Sequence, residues 1–521
     1  MSTKVAGSLA RIAGVVFIAT ALSKGMGFGR QLLIAKIYGS GEIYSSHNIA
    51  YIVPGFLLIL LGGLNGPFHS ATISVMKKRE GQDNAALVET LSTLSAIVLG
   101  AVTLVLLLGA DGIIYLLAPG ASPETRQLAA EQLRIMAPLA VLAGQVGIGF
   151  GALNAAEHYL LPSLSPLLTN VAVIAALIAF GEKTNPAVLA WGVLVGALLQ
   201  WGAQLWLQIK LGITQLRARL DWHRPEVKAV IALVIPAVIS SGAIHINVYT
   251  DMFFASFVPN NRTISNLAYA QLLYLTPLGI LSNALLVPLM PYYSSLAVPE
   301  RWPELRQRVR QGLVATGLSI LPFAMLLVVL ARPAVKLVYE RGEFSPDVTV
   351  EVASLLAAYA VGMLFYLGRD VLVRIFYALE DSRTPLKISV VAIVLNAVFD
   401  WIGIRLVGAP GLPLSTAGVN LAAVIWLGVA LRKQIGVWPW KQTLWDLGRL
   451  TVLVAIAAVA TWQVQSILDA RWFSDRFSTL ALKLSLSTAV GVVAYSAGAL
   501  LLRLPEVDLV VARLRRLVLR R

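Results

Sequence analysis

The chain has 521 residues, 57% of them hydrophobic and 13% charged, with a mean hydropathy of +0.76. A soluble globular protein carries about 25% charged residues, so a water-soluble multidomain enzyme is excluded, and no polar stretch is long enough for a soluble domain. The formal charge of +15 is scattered over many short loops, which excludes a nucleic-acid-binding patch, and the lack of cysteine excludes disulfides, iron–sulfur clusters and thiolate zinc sites.

Apolar runs suited to a bilayer core of about 30 Å, which takes about 20 helical residues, recur near 10–37, 47–75, 87–118, 129–156, 160–181, 186–211, 227–257, 264–296, 311–338, 349–379, 385–407, 412–431, 445–468 and 478–503. Helices are required, because no water in the bilayer core can satisfy open backbone groups. The expected fold is therefore all-α: a polytopic membrane helix bundle of about 14 transmembrane helices.

Within the first segment Lys4 and Arg11 precede the apolar run Ile12–Leu22, and Ala19-Thr20-Ala21 resembles a signal-peptide cleavage site. Apolar character resumes past Gly29, so the run reads as one long span. It carries two cations in Ser23-Lys24-Gly25-Met26-Gly27-Phe28-Gly29-Arg30. A charge at a helix centre costs about 2.5–3.5 kcal/mol to insert, so Lys24 and Arg30 are expected to face a cavity or a partner. Six residues of regular helix turn through about 600°, which would separate the two faces. Gly25, Gly27 and Gly29 are expected to relax that constraint by bending the span. The alternative is that each cation snorkels to an interface or pairs with an acid.

The second span holds Pro54, Gly55, Gly62, Gly63, Gly66 and Pro67. Breakers at membrane depth are tolerated where they line a cavity or a moving interface, so Pro54, Gly62, Gly63 and Pro67 are candidate hinge residues beside the first-span glycines. Close packing by small residues is the alternative. Further along, Gln145, Asn154, Asn170, Gln200, Gln204, Gln271 and Asn283 read as interhelical hydrogen-bonding amides. In the seventh span His245, Asn247 and Asp251 form a candidate cation or proton coupling site, with a structural ion pair as the competing reading. In the tenth span Arg369, Asp370 and Arg374 cluster, and Asp370 and Arg374 are spaced as an i, i+4 pair.

Loop charges give the orientation. One alternating set of loops carries Lys77-Lys78-Arg79, Arg217, Arg219, Arg224, Lys228, Arg301, Arg306, Arg308, Arg310, Arg383, Lys387, Arg432, Lys433 and Lys441; the other set is poorer and mixed in sign. Basic loops favour the cytoplasm, which puts both termini inside, with a basic, partly apolar C-terminal tail. No P-loop, G-x-S-x-G or H-E-x-x-H motif occurs, no metal-ligand spacing links the histidines, and no cofactor is expected.

Several segments together resemble the MurJ (MviN) family of lipid II flippases, in the multidrug/oligosaccharidyl-lipid/polysaccharide exporter superfamily. The segment Ser23–Gly39 resembles that family's S-R-x-x-G-x-x-R-x-x-x-x-A-x-x-x-G. Phe376-Tyr377-Ala378-Leu379-Glu380-Asp381-Ser382-Arg383-Thr384-Pro385 is similar to its F-Y-A-L-x-D-T-x-T-P, and Tyr269-Ala270 through Pro277-Leu278-Gly279 to its eighth span. Ala50–Ala71, with Val53-Pro54-Gly55-Phe56, resembles the cyanobacterial branch.

The resemblance implies two six-helix lobes, 1–220 and 221–440, around a cationic cavity, with two further helices and a basic tail over 441–521. It implies export of lipid II, the undecaprenyl-pyrophosphate-linked peptidoglycan precursor, across the inner membrane by alternating access. Lys24 and Arg30 match two functional first-span arginines. Three family positions depart: an arginine falls at Ile52, an acid at Ser45 and an arginine at Leu272, beside Gln271. Arg369 and Arg374 are candidate replacements for the missing cations. A monovalent cation and the cell-wall synthesis machinery are further candidate partners. Competing readings are a flippase for another polyprenyl-linked glycan, a cation-coupled drug antiporter, a polytopic glycosyltransferase and a non-transporting scaffold.

Overall fold

The computed structural model describes residues 3–63, 66–78, 84–182, 184–259, 261–472, 474, 476–502 and 504–507. Among them every regular element is a helix. Eleven helical segments are long and apolar enough to cross a membrane, and the bent pair Pro123–Met136 and Leu139–Ala155 makes a twelfth. Leu108 and Leu501 are 85% and 83% exposed. Apolar side chains so open suit a hydrocarbon surround and not water.

Contacts divide the chain into two compact units. The first comprises residues 1–265 and 341–344. It contains α1 (Thr3–Tyr38), α2 (Glu42–Gly62), α3 (Pro67–Lys77), α4 (Ala85–Leu108), α5 (Ala110–Leu117), α6 (Pro123–Met136), α7 (Leu139–Ala155), α8 (Leu160–Phe180), α9 (Ala187–Lys210) and α10 (Pro225–Ala255). The seventh expected span, α10, thus clusters with the first unit.

Sequence explains the breaks. Between α2 and α3, Gly63 and Gly66 are extended and Pro67 opens the next helix, a position where its missing N–H costs nothing. Gly62 also serves close packing, since a Cβ there would stand 3.0 Å from the Ala143 carbonyl oxygen. Pro54 lies inside α2 without ending it. The 41° bend between α6 and α7 falls at Ala137-Pro138, where proline removes a helical hydrogen bond. Helices α8 and α9 approach closely because Gly196 leaves room for the Thr169 backbone, 2.6 Å from where a Cβ would be.

The second unit comprises residues 266–340 and 345–521. Its helices are α11 (Thr263–Ser295, beginning just before the boundary), α12 (Trp302–Val329), α13 (Ala331–Tyr339), α14 (Pro346–Ala378), α15 (Arg383–Val407), α16 (Gly411–Ile435), α17 (Trp440–Arg471) and α18 (Phe477–Leu501). A polar ladder joins the last two: Lys483, 5% exposed, pairs with Asp469 at 3.0 Å, and Ser487 donates to Gln465 at 2.9 Å. A buried ion network ties α17 and the segment after α18 to α12, with Arg310 bound to Asp446 at 2.6 Å and to Glu506 at 3.1 Å.

The tenth-span motif has a structural meaning. Asp381 accepts from the backbone N–H of Arg383 and Thr384 and from the Thr384 hydroxyl. It caps the start of α15, and Pro385 follows where a first-turn proline is tolerated. These donors, the Thr384 hydroxyl foremost, hold the Asp381 carboxyl below the usual carboxylate range.

Candidate functional site

Helix α1 runs without interruption through Ser23–Arg30 and its three glycines. A glycine in a helix costs only about 1 kcal/mol, whereas an open backbone group in lipid costs several. The unbroken helix therefore leaves Lys24 and Arg30 on different faces. Lys24 is exposed and Arg30 half-buried. Gly25 and Gly29 face open space, while a Cβ on Gly27 would lie 3.6 Å from the Asn170 amide, which itself bonds the Ser23 carbonyl.

Arg30 is the informative cation. Its Nε is buried and has no hydrogen-bond partner among the described residues. Its charge acts on Tyr44, His47 and Tyr51, which form a ladder on α2. The His47 ring stacks 6.5 Å from Tyr44 and 5.9 Å from Tyr51. Gln132 fixes the imidazole: its Nε2 donates to Ser46 at 2.9 Å, so its Oε1 receives the His47 Nδ1–H at 3.0 Å. Gln31 donates to the Tyr44 hydroxyl. A guanidinium with an unused buried donor near this fixed ladder can donate to a phosphate oxygen in a charge-assisted bond. Sequence reading took His47 only as one of five scattered histidines; its place three residues after one tyrosine and four before another was the available signal.

Ser45, where the resemblance places an acid, is fully buried. It donates to the Asn261 carbonyl at 2.6 Å and to Ser265 at 3.1 Å, and Ser40 bonds Ser265 at 2.8 Å. A hydroxyl latch occupies that position here. Ile52 and Leu272 are half-buried.

Five of the seven amides make interhelical bonds as expected, Asn170 among them, while Gln271 and Asn283 are exposed and make no hydrogen bond among the described residues. Gln145 bonds Ser92 and Ser95, Asn154 bonds His69, and Gln200 and Gln204 bond Thr169 and Ser165. Asp251 is half-buried on α10. The side chains of His245 and Asn247 lie outside the described ones.

In the second unit Arg369 donates to Asn420 at 2.9 Å and to Asp370 at 3.1 Å, and lies over the Tyr366 ring at 5.0 Å. The i, i+4 pairing of Asp370 with Arg374 is therefore corrected: the carboxylate is taken by its neighbour. Arg374 is half-buried and makes no hydrogen bond or ion pair among the described residues. Sequence reading also missed Asn396 and Asp400 on α15. Their side chains are 1% and 0% exposed, and Asn396 Nδ2 donates to Asp400 Oδ2 at 2.9 Å. The spacing N-x-x-x-D inside an apolar span was the readable signal.

Buried charges on long apolar helices define a polytopic membrane protein whose spans carry polar sites. Residues 34–482 match the family model described as Lipid II flippase MurJ. A protein of Synechocystis named as a probable lipid II flippase MurJ is 45% identical, with 98% of each chain covered. A solved lipid II flippase MurJ in an inward closed conformation superposes with a TM-score of 0.75 at 21% identity, covering 93% of this chain and 97% of the other. An inward-facing multidrug resistance transporter of the MATE family and MOP superfamily superposes with a TM-score of 0.62 at 15% identity, covering 80% of this chain and 94% of the other. The chain belongs to the MurJ family.

Proposed function

We propose that this protein moves lipid II from the cytoplasmic to the outer leaflet of the bacterial inner membrane by alternating access. The observation that carries the reading is Arg30, whose buried Nε has no hydrogen-bond partner among the described residues, in a chain of this family. No bond is made or broken. Arg30 holds the pyrophosphate and exposed Lys24 supplies charge at its approach. Arg374, whose guanidinium is uncommitted, is assigned a phosphate contact in the second unit. Arg369 is not, because Asn420 and Asp370 already occupy it. The polyprenyl tail stays in lipid.

Helices α1 and α10, of 36 and 31 residues, supply two further spans and bring the number to fourteen. The lobes 1–220 and 221–440, with 441–521 appended, are retained as the repeat organisation. Basic loops and both termini face the cytoplasm. Outward transfer of an anion is then favoured by an inside-negative potential, by about 2.3 kcal/mol per charge per 100 mV. For ion coupling, Asp251 and His245 on α10 remain candidates, and buried Asp400 joins them.

Rescue of a flippase-depleted bacterium tests the function. The wild-type gene restores growth and Arg30→Ala at equal membrane level does not. Full rescue by Arg30→Ala would reject the pyrophosphate role, and no rescue by the wild type would reject lipid II as cargo.

A further inference from the structure

We propose that the second unit contains a separate binding site for a phosphodiester monoanion, supplied by the headgroup of an anionic glycerophospholipid, in the cavity between the start of α12 and the connection from α16 to α17. The cavity measures about 540 Å³, within the roughly 300–1,000 Å³ of small-ligand pockets. Arg306, Gln307, Arg310, Trp438 and Gln442 line it.

Donor accounting points to an anion. A guanidinium has five N–H donors and no acceptor. Arg310, 8% exposed, commits three of them to Asp446 and Glu506. Arg306 commits one, to the Ile435 carbonyl at 2.6 Å. The remaining donors of both groups have no acceptor among the described residues. The connecting loop is shaped around Arg306: Gly436 adopts φ +86°, and a Cβ there would stand 2.6 Å from Arg306 Nη2. The two carboxylates hold Arg310 rigid without closing off its last donors.

Charge selects the ligand class. Asp446 and Glu506 more than neutralise Arg310, with Arg449 3.9 Å from Asp446. Arg306 has no carboxylate within ion-pair distance among the described residues, so the cavity offers about one net positive charge. A phosphodiester carries one negative charge, and its unesterified oxygens suit the two facing forks.

The surroundings select a lipid source. Val437, which lines the cavity, is 61% exposed, and Leu444 and Trp445 on the same first turns of α17 as Gln442 are 61% and 69% exposed, an apolar surface for acyl chains with an aromatic ring of the interfacial type. The basic loops mark this as the cytoplasmic end, where basic pockets between spanning helices take anionic headgroups. The site is distinct from the first-span cations, which belong to the other unit. A lipid bound here is a ligand and not cargo.

The test uses the purified full-length chain, stripped of lipid in detergent. It is titrated with phosphatidylglycerol, with zwitterionic phosphatidylcholine, and with water-soluble glycerophosphodiester and inorganic phosphate. Native mass spectrometry reads the lipid adducts and thermal melting reads the soluble anions. The expected result is a first phosphatidylglycerol adduct that weakens about tenfold in Arg306→Ala and in Gln442→Glu and recovers in part in Arg306→Lys. Gln442 is exposed and hydrogen-bonds nothing among the described residues, so Gln442→Glu keeps the fold, checked by its melting temperature without lipid. Equal phosphatidylglycerol affinity in wild type and both variants would overturn the site. Stabilisation by glycerophosphodiester or phosphate equal to that by phosphatidylglycerol would overturn the lipid source.

Discussion

Asn396 donates to Asp400 across one turn of α15, Nδ2 to Oδ2 at 2.9 Å, with both side chains closed to solvent. A buried carboxylate bonded to a neutral amide keeps its charge only with a cation nearby, or else takes a proton. Asp400→Asn is therefore expected to leave membrane levels near normal while altering the ion or pH dependence of rescue. Normal dependence together with normal growth would remove Asp400 from coupling.

The first-span cations separate by burial. Arg30→Ala removes a charge-assisted contact, about 1.5–3 kcal/mol, and is expected to cut transport roughly ten- to hundredfold at unchanged membrane level. Arg30→Lys should fall between, since Lys keeps the charge and loses the fork. Lys24→Arg should retain transport. Lys24→Ala should cost less than Arg30→Ala, because Lys24 is exposed. Lipid II protection assays in vesicles give the ordering, and a larger loss for Lys24→Ala would invert the assignment.

The Asp381 cap gives a pH-dependent prediction. Its carboxyl is depressed in the folded protein, so its contribution is complete above the unfolded value near 3.9 and is lost as pH falls through the folded value. Melting between pH 5 and 8 should then show no pH dependence from this group, and loss should begin only in acid. Asp381→Ala should lower stability by about 1 kcal/mol at neutral pH. An unchanged melting temperature for Asp381→Ala would show that the cap does not support α15.

Orientation is testable because the native chain has no cysteine. Single cysteines at exposed Lys78 and Arg432 should resist an impermeant thiol reagent in intact cells, and one at exposed Glu182 should react. The reverse pattern would invert the topology.

Helices, most span positions and the first-span cations were legible because a charge in an apolar run is conspicuous by identity alone. Pairing was not. Glu89, at the start of the third apolar run, is 2% exposed and accepts from the Gln215 backbone N–H 126 positions away, a pairing that no local spacing signals. Arg310 reads as one more loop cation, but its partners lie 136 and 196 positions further on. Spacing favoured Asp370 with Arg374; the adjacent Arg369 reached the carboxylate first because Asn420, on another helix, holds its other nitrogen. The glycines of α1 suggested a bend, and the helix is continuous through them, since in lipid its backbone bonds must be kept.

The Glu89 contact also sets an order of assembly. Its Oε1 takes the Gln215 N–H at 2.7 Å and its Oε2 meets the Arg219 guanidinium at 2.7 Å, while Ile213 enters the same core as Leu87, Val227 and Val230. During synthesis α4 reaches the membrane long before any of these partners leaves the ribosome. Its carboxylate must stay hydrated at the interface until the connection past α9 arrives to cover it. The first unit therefore seals only once its seventh long helix has begun to emerge, and a chain cut between α9 and Gln215 would hold six inserted spans with an acid still exposed at their edge.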